Sequence, residues 1–251
     1  MSNFKIQIAN LVVTVDAMFE STRIFCRNHF SQQEPDLSVR TGMEDICFER
    51  TKAVREIQLE GCSFRDISDA QLEITAIQRK ITEAFFSRHI LLFHGSVVAV
   101  DGAAYLFTAK SGTGKSTHTR LWREMLGDRA VMVNDDKPFL QMTQDGVTAW
   151  GSPWNGKHKL GANIGVPLKA ICILERSETN WIKPVQVPEV LPMLFQQSQR
   201  PQDPANMAKY MELVDELVNS VEFYRLGCNM DPEAARISYE AMSQGRKDTK
   251  V

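Results

Sequence analysis

No apolar run in this 251-residue sequence approaches the roughly 20 residues that span a bilayer. A helical membrane span is therefore not expected. The start, MSNFKIQIANLVVTVDAMFE, lacks the basic opening and continuous apolar core of a secretory signal. The five cysteines, Cys26, Cys47, Cys62, Cys172 and Cys228, are odd in number and contain no CxxC pair. That argues against a disulfide framework and against a Cys-based zinc site, and it points to reduced thiols in the cytoplasm. His29, His89 and His158 show no metal-ligand spacing with cysteine or acid. There is no long run of one charge, and the net charge is −2. Nothing in that balance calls for nucleic acid or an anionic membrane as partner. Repeats and low-complexity tracts are also missing.

What is present is a chain that is 43% hydrophobic, enough to bury a core. Residues 4–15 alternate and then run apolar, which predicts a strand. Residues 16–65 are irregular, with Val54–Leu59 as a short strand candidate. Apolar residues recur at helical spacing over Ser68–Ser87. A soft boundary falls near Arg88, dividing an accessory region, 1–88, from a second domain, 89–251. Ile90–Val100 and Ala103–Thr108 flank Asp101-Gly102 as a hairpin. A helix is expected from about Gly114 to Leu126, then a strand over Ala130–Val133. Phe139–Thr143 and Val147–Trp150 form a second hairpin, and Ala170–Glu175 a buried strand. Helices are expected over Pro188–Ser198, Pro204–Ser220 and Asp231–Met242, with a strand over Val221–Leu226 before the last. Asp231 is the expected N-cap of the last helix, with Pro232 at its first position. The tail Ser243–Val251 is polar. The mixture of hairpins and strand–helix units predicts an α/β fold with a mixed sheet.

Ala109-Lys110-Ser111-Gly112-Thr113-Gly114-Lys115-Ser116 fits the Walker A pattern. In such a loop, glycines let successive backbone N–H groups turn inward onto phosphate oxygens, and the following helix adds its positive end. The expected nucleotide-binding residues are Ser111, Gly112, Thr113, Gly114, Lys115, Ser116 and Thr117. Lys115 would reach the β and γ phosphates of ATP, and Ser116 would ligate Mg²⁺. The strand Val131-Met132-Val133 ends in Asn134-Asp135-Asp136. If that strand lies beside the loop's strand, its acids come near the phosphates. One can bind Mg²⁺, and the other can take the proton of an attacking hydroxyl. Gly151–Lys159 reads as a loop in which Lys157 or Lys159 can offset phosphoryl charge, or which is simply solvated and held by Trp154. Arg120 reads as a surface residue. Trp122, Trp150, Trp181 and the segment Met211–Phe223 read as packing residues.

His94-Gly95-Ser96, Val100-Asp101-Gly102, Leu106-Phe107-Thr108, the loop and Asn134-Asp135-Asp136 occur in the order and near the spacing seen in one family. Over residues 89–176 the chain resembles the catalytic domain of HPr kinase/phosphorylase, within the phosphoenolpyruvate carboxykinase-like P-loop fold. The resemblance implies a mixed-sheet kinase core behind a small strand-containing N-terminal region. It implies ATP and Mg²⁺, with Lys115 and Ser116 holding nucleotide and metal. It makes Asp135 the general base and Asp136 the metal ligand, roles that the sequence leaves exchangeable. It puts His94 near the transferred phosphate and suggests a homo-oligomer. The family's later Arg-containing signature is not found, and Gly151–Lys159 occupies a comparable stretch. The N-terminal region does not match either, which puts HPr as the acceptor in doubt. The expected activity is transfer to a Ser-type hydroxyl on a protein, peptide or small molecule. The alternatives are a nucleotide-binding scaffold without transfer and a carboxykinase-like enzyme.

Overall fold

The computed structural model describes residues 2–60 and 66–245. Cys62 and most of the polar tail lie outside the described residues. The chain divides into two compact units, Met1–Ala84 and Phe85–Val251.

In the first unit, β1 (Ser2–Ile8) and β2 (Leu11–Ala17) form an antiparallel hairpin with Ile8 opposite Leu11. The expected single strand over 4–15 is therefore two strands. The chain reverses at Ala9-Asn10, where Ala9 adopts a left-handed φ of 54°. After helix α1 (Glu20–Phe25), β3 (Leu37–Arg40) pairs parallel to β2. Two helices follow, α2 (Met43–Glu60) and α3 (Asp69–Phe85). The expected strand over Val54–Leu59 is instead the last part of α2. Its Arg, Glu and Gln residues favour helix, and nothing pairs with it as a strand. Glu73 of α3 is completely buried. It accepts from the backbone N–H groups of Met18 (2.5 Å) and Phe19 (3.1 Å) and from the hydroxyls of Thr22 and Thr41. A buried carboxylate is tolerable only with its lone pairs filled in this way, and the contacts tie α3 to the end of the hairpin.

The second unit is a mixed α/β fold. Its strands are β4 (Ile90–Leu92), β5 (Ser96–Val100), β6 (Ala103–Thr108), β7 (Ala130–Asn134), β8 (Phe139–Thr143), β9 (Gly146–Trp150), β10 (Gly165–Arg176), β11 (Trp181–Pro184) and β12 (Glu222–Cys228). The helices are α4 (Lys115–Leu126), α5 (Val187–Gln197), α6 (Met207–Ser220) and α7 (Glu233–Gln244). The sheet runs β4-β8-β9-β10-β6-β5-β7, with β12 also pairing β10 and β11. β6, β10 and β12 are parallel, and the other pairings are antiparallel. The last helix has Pro232, not the expected Asp231, at its N-cap, while the Asp231 carboxylate accepts from the N–H of Glu233 at 2.9 Å just ahead of it.

Period-2 alternation sorts the central strands onto two faces. Val97, Leu106, Ile171 and Ile173 pack with Leu194, Leu213 and Leu217 of α5 and α6. Val98, Phe107, Cys172 and Leu174 pack with Leu121 and Trp122 of α4 and Met242 of α7. Covered on both faces, β5 after Ser96 and β6 before Thr108 are apolar instead of alternating with polar residues. The carboxyl ends of β6, β10 and β12 open on one edge. β7 ends there too, because two antiparallel steps through β5 make it run parallel to β6.

Candidate functional site

From the sequence, the acids come near the loop if the acidic strand lies beside the strand that feeds it. In the structure the two strands are not neighbours, since β5 lies between β6 and β7. The acids reach the loop all the same, because β7 and β6 end on the same side of the sheet.

Residues 109–114 turn tightly out of β6 into α4. Gly112 and Gly114 have φ of 75° and 121°, conformations that residues with a Cβ rarely adopt. Lys115 folds back so that its Nζ donates to the carbonyl of Ala109 at 3.1 Å. Burial lowers the Lys115 pKa and neighbouring Lys137 lowers it further, while Asp136 and Asp135 pull it up. Lys115 thus sits within the field of both carboxylates. Ser111 and Ser116 are exposed, and Thr117 lies one position further along α4.

Asp135 is 6% exposed and enclosed by specific partners. Its backbone N–H donates to Asn155 Oδ1 at 2.9 Å. The Ser96 hydroxyl donates to its Oδ1 at 2.6 Å and lies 3.0 Å from the Thr119 hydroxyl of α4. Because the single Ser96 proton is committed to the carboxylate, Thr119 can only donate in the second contact, and it shares its proton with the carbonyls of Lys115 and Ser116, both at 3.3 Å. A relay of hydroxyls from Thr119 through Ser96 to Asp135 results. The other oxygen, Oδ2, faces Gly156, where an added Cβ would sit only 3.2 Å away.

Asp136 is more open, its side chain 40% exposed, with His94 Nε2 at 3.3 Å. Burial lowers His94 to a pKa of about 4, with Lys137 and Lys115 adding repulsion. At neutral pH the contact therefore joins a neutral imidazole to the acid. Burial, with the charge of Asp135, raises the Asp136 pKa against the pull of Lys137 and Lys115. Asn134 organises the turn: its Oδ1 accepts from the N–H groups of Asp136 and Lys137, and its Nδ2 donates to Ser152 Oγ at 3.1 Å.

The segment 151–162 folds over the end of β7. The N–H of Ala162 donates to the carbonyls of Met132 and Val133, both at 3.2 Å. Gly151 packs so closely that a Cβ there would lie 1.8 Å from the carbonyl oxygen of Ala162. Trp154 is buried, as expected, and Lys157, His158 and Lys159 are exposed. Arg120 is a surface residue paired with Glu124. Met211, by contrast, is 47% exposed and does not join the core expected of it.

The structure thus brings together Lys115, Asp135, Asp136 and His94. Sequence reading missed Ser96, Thr119, Asn155 and Arg176. Arg176, at the end of β10, donates to the carbonyl of Gly112 at 2.7 Å. Ser96 adjoins the His94-Gly95 pair, but only the β5–β7 register shows that its hydroxyl reaches Asp135. Left-handed glycines leading into a helix N-terminus form an anion-attracting nest. Beside it stand the cations of Lys115 and Lys137, one enclosed carboxylate and one open carboxylate.

A family model described as "SynChlorMet cassette protein ScmC" matches residues 61–228. The chain belongs to the ScmC family. No curated protein matches it significantly. Among solved structures, the Hpr(Ser) kinase/phosphatase from Coxiella burnetii is a distant likeness. It is 12% identical with a TM-score of 0.36, over 61% of this chain and 99% of that one. No described helix of this ScmC-family chain is long and apolar enough to cross a membrane.

Proposed function

We propose that this ScmC-family protein is an ATP-dependent phosphotransferase acting on a hydroxyl acceptor, with its chemistry in residues 89–251 and an accessory role for 1–88. The observation that carries this reading is the enclosed carboxylate of Asp135 beside Lys115 and the glycine nest. A protein that only binds nucleotide has no need of a relay that holds a carboxylate in one orientation.

In this reading the loop N–H groups and Lys115 hold the β and γ phosphates. The acceptor hydroxyl lies against Asp135, which takes its proton on Oδ2 while Ser96 occupies Oδ1. The acceptor oxygen bonds to the γ phosphorus, and the bond from that phosphorus to the β–γ bridging oxygen breaks, leaving ADP. Neutral His94 holds Asp136 in place.

The donor set suits magnesium. Ser116 and Asp136 offer hard oxygens, and Asp136 is open enough to share an ion with water and phosphate. Among the described residues no group of three or more His, Cys, Asp or Glu side chains is arranged to hold a metal. Magnesium commonly rests on one or two carboxylates plus phosphates, so Ser116 and Asp136 would suffice. When bound there it would offset charge on the phosphate oxygens.

Incubation with γ-labelled ATP, magnesium and a panel of Ser-bearing peptides and small hydroxyl compounds tests the reading. Label should move to an acceptor or, more slowly, to water. Tight ATP binding with no transfer to any acceptor or to water would instead favour a scaffold.

The relay makes a prediction of its own. Ser96→Ala removes a hydrogen bond to a charged group, worth about 1.5–3 kcal/mol. Transfer should slow about tenfold, with ATP affinity within about threefold of the wild type. Transfer at the wild-type rate would remove Ser96 from the mechanism.

A further inference from the structure

One flank of Asp135 is built by a single loop. The segment 151–162 leaves β9 and is closed at its base, where the Gly151 N–H donates to the carbonyl of Ile164 at 3.0 Å. The Lys137 N–H donates to the carbonyl of Trp154 at 3.1 Å, and the Trp154 side chain is buried. A Cβ on Gly161 would overlap the Asn155 side chain, so the two limbs of the loop lie against each other. Gly156 stands against Asp135 Oδ2. Between these anchors the tip turns sharply. The Lys159 N–H donates to the carbonyl of Gly156 at 3.2 Å, and Lys159 holds a left-handed φ of 49°. Lys157, His158, Lys159 and Leu160 face solvent there.

The charge on this tip is uncompensated. Several exposed cations of the same unit are paired: Arg120 with Glu124, Arg129 with Asp101, and Arg236 with Glu233 and Glu240. Among the described residues no carboxylate pairs with Lys157 or Lys159. Two unpaired like charges on one tight turn add nothing to the stability of the fold. The phosphate side has cations of its own, since Lys115 and Lys137 act on His94 and Asp136 there.

The distance from the reacting oxygen sets what the lysines can meet. Lys157 and Lys159 follow Gly156 by one and three residues. Consecutive Cα atoms are about 3.8 Å apart, the ends of a turn are closer than about 7 Å, and a lysine side chain reaches about 6 Å. Both ammonium groups therefore fall within roughly 18 Å of Oδ2. An extended peptide advances about 3.3 Å per residue, so its carboxylates come within reach at up to about five positions from the acceptor residue. The tip is open, which suits an extended segment lying across it. A small acid would call for an enclosing pocket.

We infer that this loop tip selects an acidic peptide as acceptor: a Ser-type hydroxyl with Asp or Glu within about five positions, read by Lys157 and Lys159. The inference rests on the reading of Asp135 as the base that receives the acceptor hydroxyl.

Three peptides of one length test it, each with a central Ser, flanked by Asp and Glu, by Asn and Gln, or by Lys and Arg. Label transfer from γ-labelled Mg–ATP on the full chain gives kcat/KM, and fluorescence anisotropy of the dye-tagged peptides gives affinity without transfer. The acidic peptide should lead the neutral one about fivefold to tenfold in both assays, as two exposed ion pairs allow. The lead should shrink at about 0.5 M salt. In Lys157→Glu/Lys159→Asp the order should reverse, with the basic peptide ahead; Asp tolerates the left-handed turn at position 159. Should that variant not fold, the wild-type order and its salt dependence still decide. Equal values for the three peptides, an order unchanged in the variant, or transfer to small hydroxy acids and to no peptide would overturn the acidic assignment and leave phosphotransfer intact. Preferential binding of the acidic peptide without transfer to any acceptor or to water would keep the docking surface and remove the phosphotransferase reading. Neither binding nor transfer would overturn both.

Discussion

Lys115→Ala is expected to weaken Mg–ATP binding about 100-fold and to lower phosphoryl transfer by about a further 10³. The Lys115 ammonium is the cation drawn into the field of both Asp135 and Asp136, and its bond to the Ala109 carbonyl already folds it back over the loop. Its contribution to binding is charge-assisted hydrogen bonding to phosphate, worth about 3 kcal/mol where solvent is largely displaced. Its contribution to rate comes from charge that develops on the bridging oxygen as the bond breaks. Calorimetry gives the first quantity and label transfer the second. Unchanged ATP affinity in Lys115→Ala would mean that the loop is a structural turn and not a phosphate site.

Asp135→Asn should give the complementary result. The amide has nearly the same shape, its Oδ1 can still accept from Ser96, and the Asp135 backbone bond to Asn155 does not involve the changed atoms. ATP affinity should stay within about threefold of wild type, while transfer falls about 10²–10⁴-fold with loss of the base. The corresponding Asp136→Asn should act mainly through magnesium dependence. If Asp136→Asn lost transfer at saturating magnesium while Asp135→Asn retained it, the two carboxylates would exchange roles. Retention of transfer in both variants would remove the general base from the account.

Much of the sheet that carries the site could be read from sequence because its signals are local. Asp101-Gly102 marks a hairpin, and the buried run of Ala103–Thr108 followed by glycines marks a strand turning into a helix. The N-terminal hairpin was hidden because its reversal uses Ala9 in a left-handed conformation, without the glycine that usually announces such a turn. The helix α2 is hard to see in the sequence because all its residues from Thr51 to Gln58 are exposed or half-buried, leaving no apolar stripe to show a helical period. β10 begins at Gly165, earlier than expected, and Pro167 within it masks the strand pattern.

The site was legible where chemistry is written in one segment, as in the loop and in Asn134-Asp135-Asp136. It was not legible where distant segments meet. Strand order is a long-range property, so β5 lying between β6 and β7 could not be read from either motif. The partners of Asp135 come from β5 and the 151–162 segment, 39 and 20 residues away in sequence, and α4 joins only through Ser96. Arg176 likewise lies 64 residues beyond Gly112, whose carbonyl it meets.

Phosphorus NMR of Mg–ATP titrated with the protein tests the central claim most directly, since it observes the phosphates themselves. Binding on the loop predicts that the β and γ resonances shift or broaden with wild-type protein and remain at their free positions with Lys115→Ala. Resonances that stay at their free positions with the wild type, or that move equally with both proteins, would contradict it.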